Sequence, residues 1–339
     1  MSQDDSSRVV WIMRKPRSLG NFSIETSYRT MQNAWPENLT RPHMHTASRF
    51  TTGILQRVAI WREVRALTFP LIHITGDIHF AAIGLHHASV ILTIHDLGML
   101  DEGGRIRRAL KRLFWLTLPL RSCDHLIAVS HQTKEDIHRR SGYPLEKITV
   151  IPSVISPTFR RRDAQKHQPK PQILHIGLAD NKNLTGHAEA LSGLDVHLRI
   201  IGEPSPDQHS MLRSHGIDYS AASKLSEEEI QDEYAQSELL LFCSTLEGYG
   251  MPIIEAQTIG VPVITSNRSP MKETSGPGAL LADPEDPESI RKAILEILEC
   301  ETTKATLIEK GFENAAAFSA SRSAALHAEL YDALRRKVQ

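Results

Sequence analysis

Short runs of apolar, often β-branched residues recur along the chain, bounded by glycine, proline or polar residues. Such runs are typical of strands buried on both faces, as in parallel sheets covered by helices. Because helical stretches lie between several runs, the pattern predicts an α/β fold. The ten predicted strands are Val9–Met13, Leu71–Thr75, Val90–His95, Leu126–Ser130, Ile148–Pro152, Ile173–Gly177, Leu198–Gly202, Leu239–Cys243, Val263–Thr265 and Ala279–Ala282.

Two helix starts can be read from local signals. Ser226, with Glu229 three residues later, forms a capping-box pattern that predicts a helix through about Ser237. Asp286 followed by Pro287 supplies an N-cap and a first-turn proline for a helix through about Cys300.

The length of 339 residues favours two domains. Between Ser153 and Pro171 the sequence becomes polar and contains prolines, which predicts an interdomain linker. Two Rossmann-like domains with a cleft between them would bind ligands beyond the carboxyl ends of their strands. The predicted boundaries are a first domain at 1–155, a linker at 156–171, a second domain at 172–318 and a C-terminal helix at 319–339 that crosses back to the first domain.

Composition predicts a cytoplasmic protein. The longest apolar patch, Leu113 to Leu120, is interrupted by Thr117 and Pro119 and is far shorter than the ~20 residues that span a bilayer. The N-terminal MSQDDSS lacks the basic and apolar regions of a signal peptide. Three widely separated cysteines fit a reducing compartment better than a disulfide framework.

Charge is distributed unevenly between the two halves. Residues 1–155 hold 20 Lys and Arg against 13 Asp and Glu, a charge of +7, whereas residues 156–339 hold 19 against 27, a charge of −8. The basic and aromatic stretch at 105–115 suggests peripheral contact of residues 105–121 with an anionic membrane. The alternative is a helix with one buried face and a solvated basic face.

The segment from Glu247 to Glu255 has features of a phosphate-binding helix start. Gly248 and Gly250 permit a turn beside a ligand, and Pro252 suits the first helical position, which would place Glu255 in the first turn. The amides and dipole of such a helix attract phosphate, so the two carboxylates would instead accept hydrogen bonds from sugar or ribose hydroxyls. A surface loop with a dipole-favouring glutamate is the alternative.

The run EGYGMPIIEA, residues 247–256, resembles the E-x7-E signature of retaining glycosyltransferase family 4, and GVPVITSN, residues 260–267, is similar to that family's next strand and turn. The resemblance implies the GT-B fold, with an acceptor-binding first domain and a donor-binding second domain facing a central cleft. It also implies that Glu247 lies beside the transferred sugar and that Glu255 binds the nucleotide ribose. The donor-binding residues between them are Gly248, Tyr249, Gly250, Met251 and Pro252.

Upstream, HIGLADNKNL, residues 175–184, resembles the family's glycine turn followed by Lys-Asn. The resemblance implies that Gly177, Asn181 and Lys182 contact the donor, with Lys182 neutralising the diphosphate as it leaves. This role requires Lys182 to meet Glu247 at one sheet edge. Many members carry an Arg shortly before this Lys, but here residues 178–181 read LADN, so a second positive contact stays unassigned.

The first half carries weaker matches. His95 and Asp96 end a predicted strand where family members have a histidine that reaches the donor sugar, so the resemblance implies that His95 is catalytic and that Asp96 orients its surroundings. A histidine closing an apolar strand can also be only structural. The resemblance also implies other acceptor-side residues: Gly20 and Glu25 in the first strand-to-helix turn, Asp77 in HITGDIHF and Ser130 at a strand end. These residues can instead be simple helix caps.

The resemblance implies a retaining hexosyltransferase that uses a UDP- or GDP-sugar and acts on a saccharide or lipid-linked glycan in cell-envelope polysaccharide synthesis. The expected route is a front-face displacement in which the leaving phosphate helps deprotonate the acceptor. We expect no cofactor and no metal, because amides and Lys182 take up the diphosphate charge and no D-x-D pair occurs. A nucleotide-sugar epimerase or a non-catalytic nucleotide-sugar binder on the same fold is the alternative.

Other function classes are disfavoured. Neither G-x-G-x-x-G nor G-x-x-x-x-G-K-[ST] occurs, which argues against a dehydrogenase and a P-loop enzyme. The histidines between His43 and His95 lack the helical H-x-x-x-H spacing of a metal hydrolase. Only the charge bias favours nucleic-acid binding, so we expect no nucleic-acid partner.

Overall fold

The computed structural model describes residues 8–16, 23–101, 103–162 and 169–336. The chain divides into two compact units, one formed by Met1–Val154 with Ala320–Gln339 and the other by Ile155–Ser319. Each unit contains one six-stranded parallel sheet with helices, which confirms the predicted α/β class.

The sheet of the first unit has the order β2-β1-β3-β4-β5-β6, with every pairing parallel. Successive side chains of β1 enter opposite hydrophobic clusters, Val10 and Ile12 on one face and Trp11 and Met13 on the other, as expected of a strand covered on both sides. The strands are β1 Val9–Met13, β2 His43–Thr46, β3 Leu71–Ile74, β4 Ser89–Ile94, β5 His125–Ala128 and β6 Ile148–Val150; the helices are α1 Ser23–Asn33, α2 Ile54–Arg65, α3 Arg105–Arg112, α4 Leu118–Leu120 and α5 His131–Ser141.

The sheet of the second unit has the order β12-β11-β10-β7-β8-β9, which is the 3-2-1-4-5-6 order of the Rossmann fold when its strands are counted from β7. The strands are β7 Gln172–Ile176, β8 His197–Ile201, β9 Tyr219–Ala222, β10 Leu239–Phe242, β11 Val263–Ser266 and β12 Ala279–Ala282; the helices are α6 Leu184–Leu191, α7 Pro206–Ser214, α8 Glu227–Gln236, α9 Met251–Ile259, α10 Met271–Ser275, α11 Pro287–Glu299 and α12 Glu301–Ala316. In such sheets the ligand site lies where the strand order reverses, here between β7 and β10.

All ten predicted strands are present, and their ends match the prediction or differ from it by at most two residues. The two strands that the apolar pattern missed, β2 and β9, each lie at one edge of a sheet. Neither contains a fully buried residue, and their sequences HMHT and YSAA are mixed in polarity. An edge strand packs on fewer neighbours, so its sequence need not form a continuous apolar run.

Both predicted helix starts are confirmed. Ser226 and Glu229 form a reciprocal capping box at the start of α8, and Asp286 caps α11 through the amide of Glu288, with Pro287 in its first turn. The start of α9 differs from its prediction. Met251 is the first residue of that helix, so Pro252 takes the second position and Glu255 lies beyond the first turn.

The last helix, α13 Ala320–Arg336, belongs to the first unit. Its Tyr331 hydroxyl accepts a hydrogen bond from Trp11 Nε1 at 2.7 Å and lies 2.7 Å from His73 Nδ1, beneath the sheet. At the other chain crossing, Phe159 packs into the core of the second unit against Tyr234, so the predicted linker at 156–171 is in part a piece of that unit. A lone aromatic within a polar stretch gave no periodic signal of that burial.

Candidate functional site

Lys182 and Glu247 meet at the switch point of the second sheet. Lys182 ends a 3₁₀ turn after β7, Glu247 lies in the loop after β10, and Lys182 Nζ donates to Glu247 Oε1 at 2.5 Å. The Lys182 ammonium also lies 4.8 Å from the centre of the Phe242 ring, where the ring face attracts a cation. The ion pair is partly exposed, so both groups remain accessible to a ligand.

Backbone geometry brings this lysine to the edge of the sheet. Gly177 has a φ of +89°, and a Cβ atom there would lie 3.1 Å from Lys182 Cε, so the glycine allows both the turn and the close approach of the lysine stem. Asn181 reinforces the arrangement because its side chain donates to the Leu246 carbonyl at 2.7 Å and its carbonyl accepts from the Thr245 amide at 2.9 Å.

The Gly248-Tyr249-Gly250 run leads directly into α9. Gly250 takes a φ of +99° at the N-cap and offers no side chain to the first amides of the helix. The Tyr249 ring is buried against Phe318, and its hydroxyl has no hydrogen-bond partner among the described residues. Because its ring is buried, Tyr249 can contact a ligand at this loop through its backbone. The first turn of α9, with Met251 and Pro252, is the phosphate-binding feature that the sequence predicts.

Glu255 has a different environment from Glu247. Tyr234 donates its hydroxyl hydrogen to Glu255 Oε2 at 2.8 Å, and burial raises the pKa of Glu255 to about 7. The structure thus places one carboxylate against a cation and the other against a phenol.

In the first unit, His95 follows β4, and its Nε2 donates to the Thr75 carbonyl at 2.9 Å, since a carbonyl oxygen can only accept. Its ring lies close to Gly76, where a Cβ atom would come within 2.6 Å of His95 Cδ2. Gly76 has a φ of +136°, so a side chain there would be both strained and in collision with the ring.

Asp77 and Glu25 share a partner that the sequence prediction missed. Arg14 Nε donates to Glu25 Oε1 at 2.7 Å, and Arg14 Nη1 forms an ion pair with Asp77. Arg14 follows β1 and Asp77 follows β3, so this pair marks the switch point of the first sheet. Glu25 is buried, whereas the Asp77 side chain is 40% exposed.

The remaining acceptor-side predictions are less clustered. Asp96 is exposed and accepts from the Gly98 amide at 2.9 Å, as a local turn. Ser130 is buried and caps α5, accepting from the Thr133 amide at 3.0 Å, which is the helix-cap alternative. Gly20 lies outside the described residues. Two groups therefore form, Gly177, Asn181, Lys182 and Glu247 in the second unit and Glu25, Asp77 and His95 in the first.

Comparison with known proteins identifies the family. The model described as Glycosyltransferase Family 4 matches residues 16–159, and the model described as Glycosyl transferases group 1 matches residues 158–314. The two matches overlap at residues 158 and 159 and together cover most of the chain. The chain belongs to glycosyltransferase family 4.

Individual relatives of this family 4 glycosyltransferase are distant. O-antigen chain mannosyltransferase B of Escherichia coli is 27% identical over 223 residues, which cover 59% of this chain and 58% of that protein. The chain thus matches less than two thirds of the relative's length.

Solved structures confirm the GT-B fold. Sucrose-phosphate synthase from Thermosynechococcus elongatus has a TM-score of 0.76 at 19% identity, covering 97% of this chain and 99% of that one. Anabaena HepE in complex with UDP-glucose has a TM-score of 0.73 at 14% identity, covering 96% and 99%.

Two features of this family 4 glycosyltransferase were not predicted from its sequence: Arg14 and the His175–His187 pair. Arg14 could have been found, because a charged residue directly after an apolar strand reaches the ligand edge of a parallel sheet. His175 and His187, which hydrogen-bond to each other at 2.9 Å beneath Gly177, carry no spacing signal because one is on a strand and the other on a helix. Within the described ranges, no three His, Cys, Asp or Glu side chains converge as a metal site.

Proposed function

We propose that this family 4 glycosyltransferase transfers a hexose-type sugar from a UDP- or GDP-sugar to an acceptor hydroxyl with retention of configuration. The observation that carries the proposal is the Lys182–Glu247 pair at the switch point of a Rossmann-type sheet. The similarity to an E. coli O-antigen chain mannosyltransferase supports a hexose and a polysaccharide acceptor, and the similarity to HepE, solved in complex with UDP-glucose, supports a UDP-sugar. We place the acceptor among saccharides or lipid-linked glycans of cell-envelope polysaccharide synthesis.

In the proposed reaction, Lys182 stabilises the leaving diphosphate. An ammonium carries three protons, so Lys182 Nζ can keep its bond to Glu247 while it donates to a phosphate oxygen. Negative charge grows on that phosphate as the bond to the sugar breaks, and a fixed cation is worth more at that stage than in the ground state. The second oxygen of Glu247 accepts a hydrogen bond from a sugar hydroxyl, and Glu255 accepts one from a ribose hydroxyl. The leaving phosphate takes the proton of the acceptor hydroxyl. His95 is the first unit's proposed contact with the transferred sugar.

Thermal-shift titration with UDP-, GDP- and ADP-sugars tests donor binding, because a ligand that binds only the folded state raises the melting temperature. We expect one nucleotide class to stabilise the wild-type protein and Lys182→Ala to lose most of that shift. Lys170→Ala is the matched control, since Lys170 is also an ion-paired lysine of the second unit but binds Asp195 and Asp218. Equal shifts in the three proteins would remove Lys182 from the donor site.

Product analysis then separates transfer from its alternatives. A transferase releases free nucleotide in proportion to glycosylated acceptor, whereas an epimerase converts the nucleotide-sugar without an acceptor and a binder leaves it unchanged. We expect α-linked product from an α-linked donor, as retention requires; a β-linked product would contradict the proposed stereochemistry.

We propose that the reaction needs no metal, because Lys182 and the amides at the start of α9 take up the diphosphate charge. We expect turnover to be unchanged after dialysis against a chelator. Loss of turnover that added Mg²⁺ restores would contradict this proposal.

We also propose a cytoplasmic location with peripheral contact at the inner face of the membrane. Among the described residues, no helix has the length and apolar character needed to span a bilayer. All residues of α3 from Arg105 to Leu110 are exposed, so the alternative of a buried face on that helix does not apply to this stretch. Ile106 is 80% exposed and Leu110 52% exposed, among Arg105, Arg107, Arg108, Lys111 and Arg112.

The exposed side chains continue onto a second helix. Ile54 and Leu55 at the start of α2 are exposed. Arg57 of that helix stacks 4.6 Å over the ring of Trp115, which lies in the π-helical segment Leu113–Thr117 after α3. Apolar side chains ringed by cations fit an anionic lipid surface.

Cosedimentation with vesicles tests this contact. Wild-type protein should sediment with vesicles containing anionic lipid and not with zwitterionic vesicles, and Ile106→Ser with Leu110→Ser should abolish sedimentation. Leu281→Ser, at a 40% exposed leucine of the second unit, is the control. Sedimentation independent of lipid charge would contradict the electrostatic part of the proposal, and retention of binding by the double variant would contradict the surface.

A further inference from the structure

A buried series of hydrogen bonds connects the backbone segments that precede Lys182 and Glu247. His175 belongs to β7 and His187 to α6, and both side chains are fully buried. The Cys243 amide donates to His187 Nε2 at 3.2 Å, the two Nδ1 atoms lie 2.9 Å apart, and His175 Nε2 lies 2.7 Å from the Gly177 carbonyl.

The partners at the two ends determine every proton in this series. An amide can only donate, so His187 Nε2 must accept and the His187 proton must sit on Nδ1. His175 Nδ1 then accepts that proton's hydrogen bond, and the His175 proton sits on Nε2, facing a carbonyl that can only accept. Both rings are therefore neutral. Burial agrees with this assignment, because it lowers the pKa of His175 to about 4 and that of His187 well below its ordinary value.

These hydrogen bonds connect the ends of β7 and β10, where the pairing between the two strands stops. In β7 and β10, Ile173 pairs with Leu239 and Leu174 with Leu240, so beyond Leu174 the strand ends are not held by the ladder. Parallel strands separate at a switch point, which makes room for a ligand. The His175–His187 pair lies at that position and connects the Gly177 carbonyl to the Cys243 amide.

Both ends of the series are close to the proposed donor-binding groups. Gly177 underlies the Lys182 stem, where a Cβ atom would approach Lys182 Cε to 3.1 Å. Cys243 begins the loop that carries Glu247, and its carbonyl accepts from Asn183 Nδ2 at 3.1 Å. A change in the spacing between Gly177 and Cys243 would therefore change how Lys182 and Glu247 face each other.

We propose that His175 and His187 are positioning residues of the donor site, which hold the turn at 177–183 and the loop at 243–247 at the separation that lets Lys182 and Glu247 receive a nucleotide-sugar. The inference rests on the donor-binding role proposed for those two residues. A purely structural pair would stabilise the core and leave donor affinity unaffected in protein that is still folded.

Titration calorimetry with GDP-mannose and with UDP-glucose tests the proposal, at a temperature below the melting temperature of every variant. His187→Leu removes both of its hydrogen bonds, and we expect the Kd of the bound sugar nucleotide to rise about 10- to 100-fold, as for a misplaced binding group. Gln172→Leu is the matched control, because Gln172 is a buried polar residue of the same strand whose side chain donates to Ser237 instead. We expect its Kd to stay within about twofold of wild type.

Coupling to Lys182 separates positioning from general damage. If His187 acts through Lys182, His187→Leu should weaken binding far less in a Lys182→Ala background than in wild type. His187→Gln keeps an acceptor for the Cys243 amide, so it should recover part of the loss and remains testable if His187→Leu fails to fold.

The outcomes distinguish the inference from the proposed function. Equal Kd values for wild type and His187→Leu would overturn the positioning role, and so would equal effects of His187→Leu in the two backgrounds. If Lys182→Ala still bound the donor more weakly than wild type, the donor-site assignment would stand. Wild-type protein that binds neither sugar nucleotide, or Lys182→Ala that binds as well as wild type, would instead overturn the donor-site assignment itself.

Discussion

The two glutamates of the E-x7-E segment show how environment separates residues of one type. Glu247 forms an ion pair with Lys182, whereas Glu255 accepts a hydrogen bond from Tyr234 and burial raises its pKa to about 7. A carboxyl group with a pKa of about 7 is mostly protonated below pH 7 and mostly ionised above it. A carboxylate accepts hydrogen bonds more strongly than a carboxylic acid.

We therefore expect the Kd of the nucleotide-sugar donor to fall severalfold as the pH rises from about 6 to about 8, near the raised pKa. Glu255→Gln should bind more weakly and lose this dependence, while Glu229→Gln, at the capping box of α8, should keep it. Calorimetric titration at several pH values is the measurement. The same pH slope in Glu255→Gln as in wild type would show that another group is responsible.

Arg14 is a second residue whose burial defines its contribution. It is only 6% exposed and lies between Glu25 and Asp77. Arg14→Met would leave the buried Glu25 carboxylate without its cation, and removal of one partner of a buried pair costs about 3–5 kcal/mol.

Urea unfolding of Arg14→Met should show a loss of that size, and adding Glu25→Gln should restore part of it. Arg139→Met removes the ion pair between Arg139, whose side chain is 68% exposed, and Asp136, and should cost at most about 1 kcal/mol. Equal losses in the two single variants would show that the first-unit ion pair is not a buried one in solution.

Among the helices and strands, features that depend on a few neighbouring residues were predicted correctly, whereas features that depend on tertiary packing were not. The capping box of α8 lies within four residues, so its sequence predicts it directly. The start of α9 was displaced by one residue because Gly250, with its left-handed backbone, takes the N-cap. The edge strands β2 and β9 were missed because partly exposed strands lack the continuous apolar run that identifies buried ones.

The capping box gives a stability prediction for α8. Ser226→Ala removes the acceptor for the Glu229 amide and should lower the free energy of unfolding by about 1 kcal/mol, whereas Ser226→Gly should lower it by only a few tenths. Thermal unfolding followed by circular dichroism would measure both. A larger loss for glycine than for alanine would indicate that helix propensity, rather than the cap, dominates at this position.

At the scale of the whole molecule, buried neutral histidines couple stability to pH. Burial lowers the pKa of five of them, namely His73, His79, His175, His187 and His327. The pKa values of His175 and His327 fall to about 4. The unfolded chain takes up protons near pH 6.5 that the folded chain does not, so stability is complete above that pH and is lost as the pH falls towards 4.

We expect the melting temperature to fall continuously between about pH 6.5 and about pH 4, since each unit of lowered pKa is worth about 1.4 kcal/mol. Glu255, with its raised pKa, opposes the trend through one group only. Calorimetry in buffers of matched ionic strength measures the effect, and His327→Leu should make the slope shallower. A constant melting temperature over this range would mean that the buried rings are protonated in the folded state.

The amino-acid sequence by itself determined the class of fold, ten of the twelve strands in the described part of the chain, two helix starts and the loops that carry Lys182 and Glu247. Apolar runs, caps and glycine turns act over a few residues, which is why the sequence predicts them. Tertiary structure alone decided what those residues contact. It paired Lys182 with Glu247 and Arg14 with Asp77, joined His175 to His187, and raised the pKa of Glu255 through burial. Strand order and burial bring together side chains that are distant in the chain, and the electrostatic environment of each group depends on those neighbours.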